Sequence, residues 1–307
     1  MERSYFSRGC KGMIAKRIQI DLQRLGFAVG DPLRFADGDF GGKTLLAVQA
    51  LQNANALPAT GLVDGATWQQ LTPEPLPSLF ERCLQVTAAF EGHGFGLVKG
   101  NFDGAGLTWG VIGFTLSNGE IQAILKTTEQ QAPGTLARVM GPLAVHWQAI
   151  TAQPVDKQVA WADAISAGPT KEKLPTAWLE AFARLGEEPA IKRLQMQRSY
   201  DRYFVPCAAS AHTLGLHSEL GVALAFDVHV QNGGFKPEAF ALAAALPAGT
   251  PEAVRRAQLA EAAASSARPQ YRADVRSRKK TMATGQGVVH GGAYSLAAWG
   301  LGQEAAA

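Results

Sequence analysis

A proline-rich segment divides this chain into a short N-terminal part and a long C-terminal part. It reads TPEPLPS at 72–78, with prolines at positions 73, 75 and 77. Proline removes a backbone donor and fixes φ, so this spacing excludes a regular helix and favours an extended spacer. A chain of 307 residues is long enough for two hydrophobic cores. We therefore predict two domains, at 1–72 and 80–307, joined by a linker at 73–79.

The N-terminal part has the pattern of three short helices. Apolar residues recur at helical spacing from Ile14 to Leu25, and this run ends at a glycine. A second apolar run extends from Leu45 to Leu51. Asp64 stands where it can cap a last short helix that contains Trp68. The sequence therefore predicts a small three-helix module.

The order of short motifs in this module resembles the type 1 peptidoglycan-binding domain. The matching pieces are LQRLG at 22–26, DGDFG at 37–41, Thr44, AVQ at 47–49, LQ at 51–52, TGLVD at 60–64 and TW at 67–68. One departure is Leu51, where that family usually has an aromatic residue. The resemblance covers about residues 9–72 and implies that peptidoglycan is the module's partner. It does not identify the side chains that contact the wall.

The C-terminal part is predicted to be mainly helical with a minor β element. Leu79 to Glu91 has the pattern of a helix, which a run of glycines interrupts. Residues 107–116 are rich in β-branched and aromatic side chains, as expected of a short strand. Leu216 to Val230 is apolar on nearly all faces and is followed by glycines, which is typical of a central helix that other elements surround.

Two carboxyl groups, Glu91 and Asp103, form a candidate acid–base pair. Glu91 closes a helix beside Phe90, and apolar surroundings raise the pKa of a carboxyl group, which keeps it protonated near neutral pH. Asp103 lies in a polar, glycine-rich loop that favours the ionised form. Hydrolysis of a glycosidic bond requires carboxyl groups in opposed environments. Glu and Asp at this spacing are common by chance, however, and the pair alone leaves the function open.

The segment DGAGLTWGVIGF at 103–114 resembles the one that follows the catalytic glutamate in glycoside hydrolase family 46 chitosanases. The resemblance implies a lysozyme-like α+β domain, in which a glutamate at a helix end lies near a small β element. It implies that Glu91 is the general acid, Asp103 the general base of an inverting reaction, and Thr108 a residue that holds the attacking water. The gap between the two carboxyl groups is shorter than in the chitosanases, and Trp109 replaces a small residue.

Four further residues are predicted to bind substrate. His93 lies two positions from Glu91, although a lone histidine in a glycine loop is more often a bystander. Trp109 is expected beside the cleft. The remaining two, Gln231 and Asn232, end the apolar helix, in a part of the chain where the resemblance continues loosely.

Charged residues outside this set are predicted to be structural or solvated. Asp227 lies within the apolar helix and must be paired if it is buried. A cluster of basic residues near the C-terminus is interpreted most simply as a solvated helix face, and pairing of some members with acidic residues or with anionic wall polymer stays open; the residues are Arg272, Arg276, Arg278, Lys279 and Lys280.

Composition argues against several other functions. The net charge is +3 without a dense basic tract, so we expect no nucleic acid partner. No apolar run reaches the roughly 18 residues of a membrane span. The six scattered histidines form no zinc motif, which disfavours the zinc peptidases and amidases that also carry wall-binding modules. Cysteine transpeptidases are disfavoured because Cys83 and Cys207 lack the compact Ser/His/Gly setting that a catalytic cysteine needs. We expect no metal and no cofactor, and a monomer.

Together these features predict an endolysin that hydrolyses peptidoglycan glycosidic bonds, as an N-acetylmuramidase. The first residues lack the pattern of a secretory signal, so we expect synthesis in a host cytoplasm and action on the wall in the periplasm after release. Two alternatives stay open, which are a chitosanase or chitinase and a non-catalytic peptidoglycan-binding protein.

Overall fold

The protein forms two compact units in the computed structural model, which describes residues 3–91 and 94–306, and for Glu91 the backbone alone. Unit 1 combines Met1–Phe90 with Arg202–Ala307, and unit 2 is Glu91–Asp201. The predicted boundary at 73–79 lies within unit 1 and stays a prediction. The predicted fold class is confirmed, since helices dominate and the sheets are few and small. No helix among the described residues is long and apolar enough to cross a lipid bilayer.

The elements follow one another along the chain in three groups. The N-terminal group of unit 1 comprises β1 (Ser4–Phe6), α1 (Met13–Arg24), α2 (Pro32–Phe35), α3 (Gly42–Ala54), β2 (Val63–Asp64), α4 (Gly65–Leu71) and α5 (Leu79–Glu91). Unit 2 continues with β3 (Val98–Lys99), β4 (Thr108–Trp109), β5 (Phe114–Thr115), α6 (Glu120–Gln131), α7 (Thr135–Met140), α8 (Leu143–Thr151), α9 (Val155–Ile165), α10 (Thr176–Glu187) and α11 (Pro189–Ser199). After a π-helical turn (Tyr200–Phe204), unit 1 resumes with α12 (Val205–Thr213), α13 (Glu219–Asn232), α14 (Pro237–Ala245), α15 (Glu252–Ser265), a 3-10 turn (Pro269–Tyr271), α16 (Arg272–Thr284), β6 (Gln286–Val289), β7 (Gly292–Ser295) and a last 3-10 turn (Leu296–Trp299).

The three predicted helices of the N-terminal module are present as α1, α3 and α4. Asp64 caps α4 as expected, because its Oδ1 accepts a hydrogen bond of 2.8 Å from the backbone N–H of Thr67. A buried amide holds the adjoining loop in place. The Nε2 of Gln52 donates to the carbonyl oxygen of Leu62 and to Thr67 Oγ1, and its Oε1 accepts from the N–H of Gly61. Motif residues of the module thus stabilise its turns.

Helix α13 lies at the centre of the C-terminal part of unit 1. Its residues from Leu220 to Val228 are all buried, which confirms the predicted surrounded helix. The side chain of Ser218 caps its start by accepting from the N–H of Gly221, and Gly233 ends it in the left-handed conformation with φ 68°. Helices α12, α15 and α16 pack against it.

Unit 2 is built around a cluster of aromatic side chains. The ring of Phe182 lies 5.3 Å from that of Trp109 and 5.7 Å from that of Trp147. A buried glutamine ties the small sheet to α11, since Gln195 Oε1 accepts from the N–H of Val111 and its Nε2 donates to the carbonyl oxygen of Phe95. A side chain at Gly110 would collide with this amide, because a Cβ there would lie 2.5 Å from Gln195 Oε1.

Candidate functional site

Helix α5 presents the predicted general acid at its last position. The helix has the predicted bounds, Leu79–Glu91, and Phe90 is buried immediately before its end. The side chain of Glu91 and the whole of His93 lie outside the described residues. Their predicted roles, as general acid and as substrate contact, therefore stay predictions that rest on the position of Glu91 at the helix end.

A buried ionic cluster connects α5, α13 and α16 in unit 1. Asp227 on α13 has no exposed surface and forms ion pairs with Arg278 at 2.7 Å and with Lys279 at 2.6 Å. The hydroxyl of Thr87, on α5, donates to the same carboxylate at 3.1 Å. Burial alone would raise the pKa of Asp227, but the positive charges of Arg278 and Lys279 and the hydrogen bonds that these two side chains donate outweigh it and lower the pKa to about 2. The predicted pairing of a buried Asp227 is confirmed.

The interpretation of the basic cluster as a solvated helix face was wrong for two of its residues, to which the alternative of pairing with an acidic residue applies. Arg278 and Lys279 are buried, and the Arg278 guanidinium also lies over the ring of Phe90, 5.4 Å from its centroid. The physical reason is that the carboxylate of Asp227 needs compensating charge inside the protein, which these two cations supply. In the sequence, the signal for such partners was a single Asp among the apolar residues of a helix, because a buried carboxylate requires a cation or hydrogen-bond donors.

Gln231 and Asn232 both lie at the end of α13, as predicted. Both ends of the Gln231 amide are engaged, because its Oε1 accepts from Lys279 Nζ at 2.7 Å and its Nε2 donates to Asp274 Oδ2 at 3.3 Å. Asn232 differs, since its Oδ1 is buried and accepts no hydrogen bond from any described residue. A buried acceptor without a partner is rare, so Asn232 is the better candidate for a substrate contact.

The small sheet of unit 2 places its side chains on alternate faces. Thr108 lies opposite Lys99 on one side and Thr115 on the other, while Trp109 lies opposite Val98 and Phe114. Side chains of consecutive strand residues point to opposite faces of a sheet. Thr108 is 5% exposed, and its hydroxyl has no hydrogen-bond partner within the described parts of the chain. The hydroxyl is therefore buried, with hydrogen-bonding capacity that no described residue uses.

Trp109 does not fit its predicted role as a substrate contact. Its side chain is 0% exposed, its Nε1 donates to the carbonyl oxygen of Phe182 at 3.3 Å, and its ring packs on Phe182. The alternation of the strand explains this placement, because Thr108 and Trp109 are neighbours and cannot point to the same face. We therefore correct the prediction and assign Trp109 to the core of unit 2.

Asp103 lies on an exposed loop between β3 and β4 of unit 2. Its Oδ1 accepts a hydrogen bond of 3.0 Å from the backbone N–H of Ala105, and its neighbour Gly104 has a positive φ of 86°. Asn101 anchors the loop, because it donates to Asp163 Oδ1 and accepts from the N–H of Gly106. The carboxylate is thus accessible to solvent on a tethered loop that leads to Thr108.

A polar groove of about 470 Å³ opens on the N-terminal module. Its lining includes the cations Arg8, Arg34 and Lys43, the carboxylates Asp37 and Asp39, and the first turn of α3. The carboxylates are already engaged: Asp37 accepts from Gln19 Nε2 and from the N–H of Asp39, and Asp39 pairs with Lys11. Arg8 and Lys43 form no ion pair or hydrogen bond with any residue that the structure describes.

Two family models match this chain. Residues 14–71 match the family described as "Putative peptidoglycan binding domain", and residues 87–284 match "Glycosyl hydrolase family 46". Among the described residues, no group of three or more His, Cys, Asp or Glu side chains is arranged to hold a metal ion. No curated protein matches the sequence.

Three of the solved structures to which this chain is similar are chitosanases. One is a family 46 chitosanase from Gynuella sunshinyii in complex with chitotetraose, with 15% identity, a TM-score of 0.49 and coverage of 72% of this chain and 98% of that chain. Another is a mutant chitosanase from Bacillus subtilis MY002 complexed with 6 GlcN, with 17% identity, a TM-score of 0.48 and coverage of 69% and 88%. A third, chitosanase OU01 with substrate, has 22% identity, a TM-score of 0.48 and coverage of 69% and 94%.

The two family matches define the class of the protein as a glycoside hydrolase that carries a peptidoglycan-binding domain. The match over residues 87–284 spans more than half of the chain. The chain belongs to glycosyl hydrolase family 46.

Proposed function

We propose that this protein is a cell-wall lytic enzyme that hydrolyses glycosidic bonds of peptidoglycan, as an N-acetylmuramidase. The observation that carries the proposal is the order of the two matched families, since one chain joins a wall-binding domain to a glycoside hydrolase domain. A domain that binds a polymer raises the effective concentration of that polymer at the attached active site. Peptidoglycan is thus the substrate that this arrangement favours.

In the proposed mechanism, three residues act on the scissile bond. Glu91 donates its proton to the glycosidic oxygen as the bond from that oxygen to the anomeric carbon breaks. Asp103 accepts a proton from a water molecule, whose oxygen bonds to the anomeric carbon from the opposite face and inverts it. The unpartnered hydroxyl of Thr108 holds that water. The exposed position of Asp103 and the free hydroxyl of Thr108 both support these roles.

The groove on the N-terminal module supports the choice of polymer. Peptidoglycan carries carboxylates on its stem peptides, and cations without internal partners can bind them with charge-assisted hydrogen bonds. Arg8 and Lys43 both line the groove and form no ion pair or hydrogen bond with the described residues, although the charge of Lys43 helps to lower the pKa of Asp37 nearby. The first backbone N–H groups of α3 receive no cap from a side chain, because the capping position is Gly41. We infer that this groove is where the module contacts the wall.

A second candidate function is that of a chitosanase. Membership of family 46 favours it, because the resemblance at 103–114 is to the chitosanases of that family. The two candidates share the acid–base chemistry and differ in the polymer. The wall-binding domain favours peptidoglycan, since it would direct a chitosan-degrading enzyme to the wrong polymer.

One experiment separates these functions. Purified peptidoglycan and chitosan are digested in parallel, and the new reducing-end sugars are identified by mass spectrometry. A new N-acetylmuramic acid end supports the muramidase, whereas N-acetylglucosamine ends would mean that the other wall bond is cut. Products from chitosan alone would favour the chitosanase. Released peptides without new reducing ends, or wall binding without any product, would overturn the proposal.

We further infer that the enzyme acts as an endolysin of the phage type, made in a host cytoplasm and released to the wall. The wall-binding domain supports this context. Expression in a bacterial host together with a membrane-permeabilising holin tests it. Lysis that requires the holin supports the inference, and lysis without it would contradict the proposed route.

A further inference from the structure

The hairpin of β6 and β7 lies beyond the part of the chain that matches family 46. That match ends at residue 284, and β6 begins at Gln286. The two strands are joined by a tight turn at His290 and Gly291, which have φ values of 49° and 78°. Two consecutive positive φ values are the signature of a type I′ turn. Non-glycine residues seldom have a positive φ, and such a conformation persists where surrounding contacts hold it. The contacts of the His290 side chain are therefore of interest.

Two side chains of this hairpin bind the end of α5. The Nδ1 of His290 lies 2.9 Å from the carbonyl oxygen of Phe90, and it must donate, because a carbonyl oxygen only accepts. The hydroxyl of Tyr294 donates to the carbonyl oxygen of Ala89 at 3.3 Å. The ring of Tyr294 also packs edge-to-face on Phe90, with centroids 4.8 Å apart. All of these residues belong to unit 1.

These contacts supply hydrogen-bond donors to carbonyl groups at the end of a helix. The last four carbonyl groups of an α-helix have no partner within the helix, and a helix end without partners frays. Ala89 and Phe90 are the two residues before Glu91, the last residue of α5. The hairpin therefore caps the helix end that carries the predicted general acid.

The side chain of His290 is held from its other nitrogen as well. Its Nε2 lies 2.6 Å from Asp274 Oδ1, and Asp274 Oδ2 accepts from Gln231 Nε2. The imidazole ring is thus held by a hydrogen-bond partner at each of its two nitrogens. Tyr294 is supported too, since its ring stacks on Trp299 with centroids 5.9 Å apart.

We propose that the β6–β7 hairpin is a clamp on the end of α5, and that His290 is a positioning residue for Glu91. The proposal rests on the proposed role of Glu91 as the general acid. A carboxyl group that must deliver its proton to one oxygen works only in a narrow range of positions. Because the clamp holds the backbone rather than the substrate, its loss lowers kcat and leaves KM nearly unchanged.

Three variants of the full chain test the clamp. His290→Ala removes both hydrogen bonds, whereas His290→Asn restores a donor close to the position of Nδ1 and tolerates the positive φ. Val288→Ala is the matched control, because Val288 lies on the same hairpin with its side chain 57% exposed. We expect His290→Ala to lower kcat about tenfold or more with KM within about twofold, and the other two variants to stay within about threefold. Unchanged kcat in His290→Ala would overturn the proposal.

Amide hydrogen exchange separates a failure of the clamp from a failure of the proposed function. The clamp predicts faster exchange at the last amides of α5 in His290→Ala than in wild type, with slow exchange regained in His290→Asn. This holds whether or not the wild type cleaves peptidoglycan. If the wild type cleaves no polysaccharide but exchange at the end of α5 is fast in His290→Ala and slow in wild type and His290→Asn, the clamp stands and only the proposed catalytic role of Glu91 is contradicted. Equal exchange in all variants would overturn the clamp itself.

Discussion

Thr108 and Thr115 lie directly opposite each other on neighbouring strands of unit 2, and neither hydroxyl finds a hydrogen-bond partner within the described residues. The two residues share a face of the sheet, and only Thr108 is predicted to hold the attacking water. Thr115 is therefore a matched control for substitutions at Thr108, because both residues lie in the same small sheet and both have an unpartnered hydroxyl.

Replacement of Thr108 by valine tests the role of its hydroxyl. An unpaired buried hydroxyl costs free energy, so both Thr108→Val and Thr115→Val should leave the free energy of unfolding unchanged or raise it by up to about 2 kcal/mol. Thr108→Val alone should lower kcat, by about tenfold or more, because the attacking water loses a partner. Initial rates on peptidoglycan and thermal unfolding measure the two effects. Equal kcat in the two variants would rule out a water-holding role for Thr108.

Replacing the carboxyl group by an amide should reduce activity more at Glu91 than at Asp103. Glu91→Gln keeps the shape of the side chain but cannot donate an acidic proton, so we expect hydrolysis to fall by about 10²–10⁴-fold, to the limit of detection. Asp103→Asn should retain partial activity, because solvent around its exposed loop can still accept the proton. The measurement is the release of reducing ends, with binding to insoluble peptidoglycan as a control. Full activity of Glu91→Gln would eliminate the proposed general acid.

Asp227 should be essential for stability. Asp227→Asn leaves Arg278 and Lys279 buried beside a neutral side chain, and breaking a buried ion pair costs about 3–5 kcal/mol. Asp103→Asn, at an exposed position, serves as the control and should unfold at the same denaturant concentration as wild type. Urea unfolding followed by circular dichroism gives both values, and equal midpoints for the two variants would contradict the role of the ion cluster.

The same ion cluster predicts a dependence of stability on pH. The pKa of Asp227 is about 2 in the folded protein, below its ordinary value of 3.8. A depressed pKa stabilises the folded state above the ordinary value, and this contribution is lost as pH falls from about 4 towards 2. Asp227→Asn should lack this part of the acid transition. A stability difference between wild type and variant that stays constant down to about pH 2 would contradict the assignment.

The helices of this chain follow from local patterns in its sequence. The bounds of α5 agree with the predicted segment, and the N-cap at Asp64 was correct. The predicted buried helix at Leu216–Val230 is present as α13 at Glu219–Asn232, because apolar periodicity marks a helix better than its exact ends. Membership of family 46 was also marked in the sequence, by the resemblance of the segment at 103–114 to the chitosanases of that family.

The ion-pair partners of Asp227 were harder to predict, because they are distant from it in sequence. Arg278 is 51 residues from Asp227, and no local pattern distinguishes it from the exposed Arg276, which pairs with Glu261. Trp109 is a different case, since the alternation of a strand already separates it from Thr108. With strands of only two residues, however, the sequence does not fix where that alternation applies.

Wall binding should depend on the groove of the N-terminal module rather than on its charge alone. Lys43 lines the groove without an ion pair among the described residues, whereas Lys16 is exposed on α1 outside the lining. Lys43→Ala and Lys16→Ala each remove one positive charge from the same module. Loss of a hydrogen bond between charged groups weakens binding by roughly tenfold, so we expect that loss for Lys43→Ala in sedimentation with insoluble peptidoglycan. Lys16→Ala should bind like wild type, and equal weakening of both would mean that a diffuse attraction to the wall replaces recognition in the groove.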